Sequence, residues 1–284
     1  MMSFLILNVR QRFDYMSEYW ALFYGFIQGV SEFLPISSSG HLALIPYFFE
    51  LKDPGVIFDL LMHVGTAVAV ILYFRKEVAR LISEGLRLVF KRDITGTIFC
   101  QNFLIATAFS FILILLIKDF ALTHGRAPKI IGFNFIFFSI LMYFSDRKPG
   151  GELDLTKVSG VKKSIIIGLS QSLAIFPGVS RSGITLTTSR YLGMNRVDAS
   201  RFSFLLSLPV ILGSVVFKLP EIMSGEATPV SFNIIIIGVI SSFLFGIITI
   251  HFFLKVISKL GLGYLSLYRV LVGILLVYMA YTSS

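Results

Sequence analysis

The chain has 284 residues, of which 55% are hydrophobic and only 14% charged, and its mean hydropathy is +0.83. A soluble domain of this size carries about 25% charged residues, so an ordinary water-soluble fold is excluded. The net charge of +9 then reads as membrane topology rather than nucleic-acid binding. The single cysteine, Cys100, excludes an internal disulfide and does not point to a metal cluster.

The first nineteen residues lack a signal-peptide pattern, because the apolar run from Phe4 to Val9 is short and no positive segment precedes it. Next comes a polar, glycine-rich cassette, GFIQGVSEFLPISSSG, from Gly25 to Gly40. Its tail, Pro35 to Gly40, is poor helix material: proline removes a donor, serines compete for backbone hydrogen bonds, and glycine is flexible. The surrounding region from Tyr19 to Leu51 is 33 residues long. That is too short for two complete spans of about 20 residues plus a turn, so it is read as a re-entrant hairpin.

Apolar runs follow at Val56 to Phe74, Ile98 to Ile117 and Ile130 to Phe144. Each is close to the roughly 20 residues that cross a bilayer as a helix. Basic residues crowd two of the intervening segments: Arg75, Lys76, Arg80, Arg87, Lys91 and Arg92 in the first, and Arg147, Lys148, Lys157, Lys162 and Lys163 in the second. A second cassette, GLSQSLAIFPGVSRSG, runs from Gly168 to Gly183 inside a second short hairpin from Ser164 to Leu192. Aligned without gaps on the first at an offset of 143, it is identical at six of sixteen positions: Gly25/Gly168, Gln28/Gln171, Phe33/Phe176, Ser37/Ser180, Ser39/Ser182 and Gly40/Gly183. Three more runs complete the chain, at Phe202 to Phe217, Phe232 to Leu254 and Leu262 to Tyr281.

Loop charge places segments 75–97, 146–163 and 255–263 in the cytoplasm and 218–231, which carries Lys218, Glu221 and Glu226, outside. The first hairpin then dips in from outside. The second dips in from the cytoplasm, with Arg190, Arg196 and Arg201 on its flank, and Arg10, Arg12, Lys118, Arg126 and Lys129 fall outside as minor exceptions. The expected fold is an all-α polytopic integral membrane protein. It forms one membrane domain over 1–284, an inverted-topology repeat with halves at about 19–145 and 160–282. About six full transmembrane helices and two re-entrant hairpins make it up.

Broken hairpins leave backbone N–H groups at helix ends, and such ends attract anions. Arg181, where the first copy has Ser38, adds a forked cation suited to phosphate. Glu32 and His41 belong to the other hairpin, and an ionisable group buried in a membrane is by default functional or tightly paired. Together these residues offer an anion cradle, a cation, a hydroxyl nucleophile and an acid, base or metal ligand, the parts of a phosphoryl-transfer site at membrane depth. Close helix packing accounts equally well for single Ser and Gly residues. Gln28 and Gln171 read equally as structural amides linking the hairpins. His63 and Asp59, near the outer end of the Phe58 to Phe74 span, read as solvent contacts, structural bonds or chemistry alike; His124 and His251 read as ordinary loop and helix histidines.

The string from Gln28 through Glu32-Phe-Leu-Pro-Ile-Ser-Ser-Ser-Gly to His41 resembles the first signature of the undecaprenyl-diphosphate phosphatase family, the bacitracin-resistance phosphatases. The string Pro177-Gly-Val-Ser-Arg181-Ser-Gly-Ile-Thr185 is similar to the second, and Phe58-Asp59 and the segment from Ala199 to Pro209 also resemble that family. The similarity runs from about residue 18 to 282 and leaves the N-terminal residues as an extension. The resemblance implies hydrolysis of a polyprenyl diphosphate lipid to monophosphate and phosphate in the bacterial cytoplasmic (inner) membrane, with the active site facing the outer side. It implies recycling of the cell-wall lipid carrier and bacitracin resistance. It also implies a divalent cation, Mg2+ or Ca2+, on Glu32 and Gln28, where the family's acidic pair here begins with the amide. On this reading Arg181 and the hydroxyls of Ser37, Ser39, Ser180, Ser182 and Thr185 grip phosphate. Ser38 attacks with His41 managing its proton, and metal-activated water or His41 itself are alternative nucleophiles. A lipid-phosphate transporter or flippase, and a non-catalytic scaffold, are the alternatives in other classes. The small-residue pattern permits a monomer or a homodimer.

Overall fold

The computed structural model describes residues 16–91, 98–125, 127–149, 151, 153–154, 160–223 and 230–282. The expectations placed on Arg10, Arg12, Arg92, Arg126, Lys157 and Glu226 lie outside the described residues, as does most of the N-terminal extension. Among the described residues the secondary structure is helical, with eleven α-helices and one short 3₁₀ turn.

The first cassette forms α1 (Glu18–Phe33) and α2 (Ser38–Phe49), broken between them at Leu34 to Ser37. The Ser17 side chain caps α1 by accepting from the Trp20 amide, and Glu18 sits in its first turn, where a carboxylate suits the helix dipole. There follow α3 (Val56–Tyr73), α4 (Arg75–Lys91), α5 (Ile98–His124) and α6 (Pro128–Arg147). The second cassette forms α7 (Val161–Ser172), the 3₁₀ turn Leu173–Ile175 and α8 (Arg181–Tyr191). The chain ends in α9 (Arg196–Met223), α10 (Phe232–Leu260) and α11 (Gly263–Thr282).

Six helices, α3, α5, α6, α9, α10 and α11, are long and apolar enough to cross a membrane, and they coincide with the six apolar runs. The protein is an all-α polytopic membrane protein. The cassette helices have 16, 12, 12 and 11 residues. At 1.5 Å per residue they reach only about 16 to 24 Å, short of the roughly 30 Å hydrocarbon core. The 75–97 segment differs from its reading as a loop: Arg75–Lys91 is helical. Its cause is legible afterwards, since Ile82, Leu86 and Phe90 recur every fourth residue as one exposed apolar stripe beside the basic residues.

Packing exchanges partners between the halves. The helix α1 lies against α10, and its counterpart α7 lies against α5; α6 pairs with α11, and α3 touches α9. Small residues allow the close approach. A Cβ on Gly29 of α1 would come within 2.8 Å of the Gly246 amide nitrogen in α10. The main apolar core threads Phe33, Ala69, Val70, Ile167, Leu186, Phe204 and Ile250, so both hairpins and both halves share it. At one end of the bundle Asp146 ties α6 to the rest. It accepts from Arg196 at 2.6 and 3.0 Å and from the Leu262 amide at 2.8 Å, and Arg190 lies 3.8 Å away.

Candidate active site

The two hairpin breaks meet inside the bundle. Ser37 and Ser180, equivalent in the cassette alignment, both have left-handed backbones, with φ of 77° and 70°, and each immediately precedes a helix. A non-glycine residue pays for this conformation, and such strain collects at functional sites. The turn it produces starts α2 at Ser38 and α8 at Arg181, so the positive N-terminal ends of both helices, whose first amides have no acceptor within their own helix, lie at the breaks. The Ser180 hydroxyl accepts from the Gly183 amide at 3.1 Å and lies 3.3 Å from the Ser182 hydroxyl. Ser182 in turn donates to the Leu34 carbonyl at 3.3 Å, joining the second break to the first.

Glu32, buried at the end of α1, is the centre of the cluster. Arg181 forms an ion pair with its Oε1. Oε2 accepts from the Ser38 hydroxyl at 2.5 Å and from Gln28 Nε2 at 2.9 Å, and His63 Nε2 lies 3.3 Å from it. His63 Nδ1 sits 2.7 Å from the Asp59 carbonyl, which can only accept, so Nδ1 carries a proton. Its Nε2 contact with Oε2 is attractive only if a further proton lies between them. Two polar atoms in this cluster are buried without a partner: Arg181 Nη1 and Gln28 Oε1; the Ser37 hydroxyl, at the neighbouring cap, is a third. Buried polar groups in folded proteins are nearly always paired, so these atoms mark a place prepared for something polar.

The structure therefore brings Gln28, Glu32, Ser38 and Arg181 into direct contact, with Ser37, Ser180 and Ser182 at the adjoining turns. It turns the other sequence-derived residues elsewhere. The Thr185 hydroxyl is buried against Ser203 at 2.5 Å and bonds the Arg181 carbonyl at 2.8 Å, facing α9. Ser39 is exposed, and no hydrogen bond ties its hydroxyl to the cluster. His41, expected beside Ser38, has both ring nitrogens engaged: Nδ1 donates to the Ser37 carbonyl at 2.8 Å, and Nε2 accepts from the Tyr268 hydroxyl at 2.7 Å. The group in contact with the Ser38 hydroxyl is Glu32. Gln171 does not meet Gln28; it bonds Ser110 at 2.9 Å.

Sequence reasoning passed over three residues of this neighbourhood. His63 reads from the sequence as solvent contact, structural bond or chemistry alike with no partner assigned, and nothing in the cassettes points to Tyr268 or Arg269. Arg269 is fully buried and donates to Pro35 and to Gly178 at 2.9 Å and to Val179 at 3.0 Å, all backbone carbonyls of the two breaks. A lone arginine inside the apolar run from Leu262 to Tyr281 was the available signal.

An open apolar groove runs between α1, α2 and α11. It is lined by Phe23, Ile27, Leu44, Phe48, Val272 and Leu275, with His41 and Tyr268 also on its wall. For a cation, Glu32 offers a carboxylate and Gln28 Oε1 an unpartnered buried oxygen, the hard donors that Mg2+ and Ca2+ take. Among the described residues no group of three His, Cys, Asp or Glu side chains makes a ready-made site. These residues fit an ion whose shell is completed by substrate and water.

A family model described as "Bacitracin resistance protein BacA" matches residues 21–275. The chain is 40% identical over 259 residues to a protein of Marinobacter nauticus named undecaprenyl-diphosphatase, covering 91% of this chain and 97% of that one. It is 41% identical over 253 residues to a protein of the same name from Idiomarina loihiensis, covering 89% and 95%. A third undecaprenyl-diphosphatase, from Pelotomaculum thermopropionicum, is 38% identical over 265 residues, covering 93% and 97%. With a family match from residue 21 to 275 and relatives of this identity along nearly their whole length, the chain belongs to the bacitracin resistance protein BacA family.

Proposed function

We propose that this protein hydrolyses undecaprenyl diphosphate, or a similar polyprenyl diphosphate, to the monophosphate and inorganic phosphate. In that role it recycles the lipid carrier of the cell wall in the bacterial inner membrane and confers bacitracin resistance. The observation that carries the reading is the Ser38 hydroxyl held 2.5 Å from the buried Glu32 carboxylate, beside an Arg181 whose Nη1 has no partner. A hydroxyl on a carboxylate is a nucleophile with its base, and an open guanidinium nitrogen is a phosphate ligand. A transporter of the same lipid would use the cation but has no use for the hydroxyl–carboxylate contact.

The prenyl tail lies in the apolar groove, and the diphosphate reaches the two helix N-termini from the outer side. Arg181 Nη1, the Ser37 hydroxyl and the first amides of α2 and α8 bind the phosphate oxygens. Ser38 Oγ attacks the terminal phosphorus as its proton passes to Glu32. The bond from that phosphorus to the bridging oxygen breaks, and the monophosphate leaves with the electron pair. Glu32 passes that proton to the departing monophosphate. Water then attacks the phosphoserine as its proton goes to Glu32, the bond from phosphorus to Ser38 Oγ breaks, and Glu32 returns the proton to Oγ as phosphate is released. Direct attack by a water whose proton goes to Glu32 is the competing route. Glu32 and Gln28 Oε1 would hold a divalent cation, which when bound neutralises charge building on the phosphates.

The test is phosphate release from a long-chain polyprenyl diphosphate by the purified protein in detergent, beside Arg181→Ala. Turnover that disappears in a folded Arg181→Ala protein supports the reading. Undiminished turnover removes Arg181 from the site, and no release by the unaltered protein overturns the hydrolase.

A further inference from the structure

A buried arginine without a carboxylate partner is expensive, because its desolvation is recovered only through hydrogen bonds. Arg269 is such a residue. It is fully buried in α11, and none of the ion pairs among the described residues includes it. Its fork spans both hairpin breaks: Nη1 donates to the Pro35 carbonyl in the first, and Nη2 to the Gly178 and Val179 carbonyls in the second. The guanidinium carbon lies 5.6 Å from the centre of the Phe135 ring. The paired helix α6 has a smaller version of the same device, since Asn134 donates to the Pro177 carbonyl at 2.9 Å. Asn134 and Arg269 occupy matching positions, each the seventh residue of its helix (134 − 128 + 1 and 269 − 263 + 1). The two helices cross closely, for a Cβ on Gly273 would come within 2.8 Å of the Gly132 carbonyl.

We infer that Arg269 is a positioning residue for the reaction: it clamps the two breaks in register so that Ser38 and Glu32 of one hairpin face Arg181 of the other, and its uncompensated charge helps to draw in the diphosphate. The inference rests on the hydrolase reading for its second half. Arg181 and Arg269 carry two permanent positive charges, and Glu32 supplies one negative charge between the hairpins. With the proton that the His63–Glu32 contact requires, positive charge is in surplus at the breaks until an anion arrives. Only a planar fork reaches carbonyls of two separate segments at once; a lysine keeps the charge and loses the span.

The charge and the span are separable by Arg269→Lys and Arg269→Gln. Phosphate release from a long-chain polyprenyl diphosphate gives kcat and KM for each. Hydrogen exchange of peptides covering 34–41 and 176–184 reports the breaks independently of activity. In Arg269→Gln, kcat falls about 100-fold and KM rises about 10-fold. In Arg269→Lys, KM returns to within about 2-fold of the unaltered protein while kcat stays at least about 10-fold low. Exchange accelerates in both break peptides of both variants and not in the peptides of α5 or α10. If Arg269→Gln fails to fold, the Arg269→Lys protein alone decides. Exchange confined to its former rate, or raised evenly along the chain with kcat per folded molecule unchanged, overturns the clamp. A blank for phosphate release by the unaltered protein counts against the hydrolase, and the exchange of the two breaks still tells whether the clamp exists.

Discussion

Ser38 and Glu32, six residues apart, meet across the break between α1 and α2, with the serine hydroxyl donating to the carboxylate at 2.5 Å. The contact exists because the chain stops being helical at Leu34 and restarts at Ser38 after one left-handed residue, Ser37. An unbroken helix would place residues i and i+6 on different faces. Removing the hydroxyl by Ser38→Ala should lower turnover at least 100-fold (about 3 kcal/mol of barrier), with the melting temperature in detergent little changed. Turnover within a few-fold of the unaltered protein would leave water as the attacking group.

Glu32→Gln keeps the shape and loses the base. Turnover should fall about 10²- to 10⁴-fold, the usual contribution of a general base. Stability should also fall, because Arg181 then faces a neutral amide. Both are measured on the same preparation by phosphate release and thermal unfolding. A variant that loses stability while turnover per folded molecule holds would reduce Glu32 to a structural anion.

Gln28 has one oxygen buried without a partner beside Glu32. If that oxygen is a cation ligand, Gln28→Ala should raise the Mg2+ or Ca2+ concentration for half-maximal activity by about 10-fold or more. The cation-dependent rise in melting temperature of the substrate-free protein should shrink in parallel. An unchanged cation titration removes Gln28 from the ion's shell.

Gly29 and Gly85 make a matched pair for packing. A Cβ at Gly29 would meet the Gly246 nitrogen and the Phe245 Cβ, both at 2.8 Å, whereas one at Gly85 meets nothing within 4 Å. Gly29→Ala should destabilise by about 1–3 kcal/mol through overpacking of α1 on α10. Gly85→Ala should be neutral or stabilise by up to about 1 kcal/mol through helix propensity. Thermal melts of the two variants side by side check both signs.

Asp146 accepts from Arg196 and from the Leu262 amide at the end of the bundle away from Glu32. Asp146→Ala leaves these donors unpaired and should cost about 1–3 kcal/mol. The kcat of the folded fraction should be unaltered. A lowered kcat at full folding would connect that end of the bundle to the reaction.

The six spans and both hairpins were legible because hydropathy and helix-breaking residues are local. The repeated cassettes likewise drew attention to Glu32 and Arg181 through charge placed where the bilayer makes charge costly, and to Ser38 as the hydroxyl aligned with Arg181. What escaped was what depends on partners far along the chain. His63 acquires meaning only when α3 packs beside α1, and α8 turns the Thr185 hydroxyl onto Ser203. His41 looked like the partner of Ser38 by spacing, yet Tyr268 on the last helix draws it to the groove. The helix α4 was hidden by its own charges, which read as loop until its apolar stripe is counted by fours.

The bond from Arg269 to Pro35 joins residues 234 apart. A ribosome adding about 5–20 residues per second needs roughly 10–50 s to make that stretch. The first hairpin must therefore sit in the nascent protein, its turn unclamped and α1 without α10, until nearly the whole chain has been made. Membrane insertion machinery or lipid has to shelter Glu32 during that interval. A chain truncated before α11 would reach the bilayer with every hairpin residue present, its two breaks joined by the Arg181–Glu32 pair and the Ser182–Leu34 bond but without the arginine fork across them.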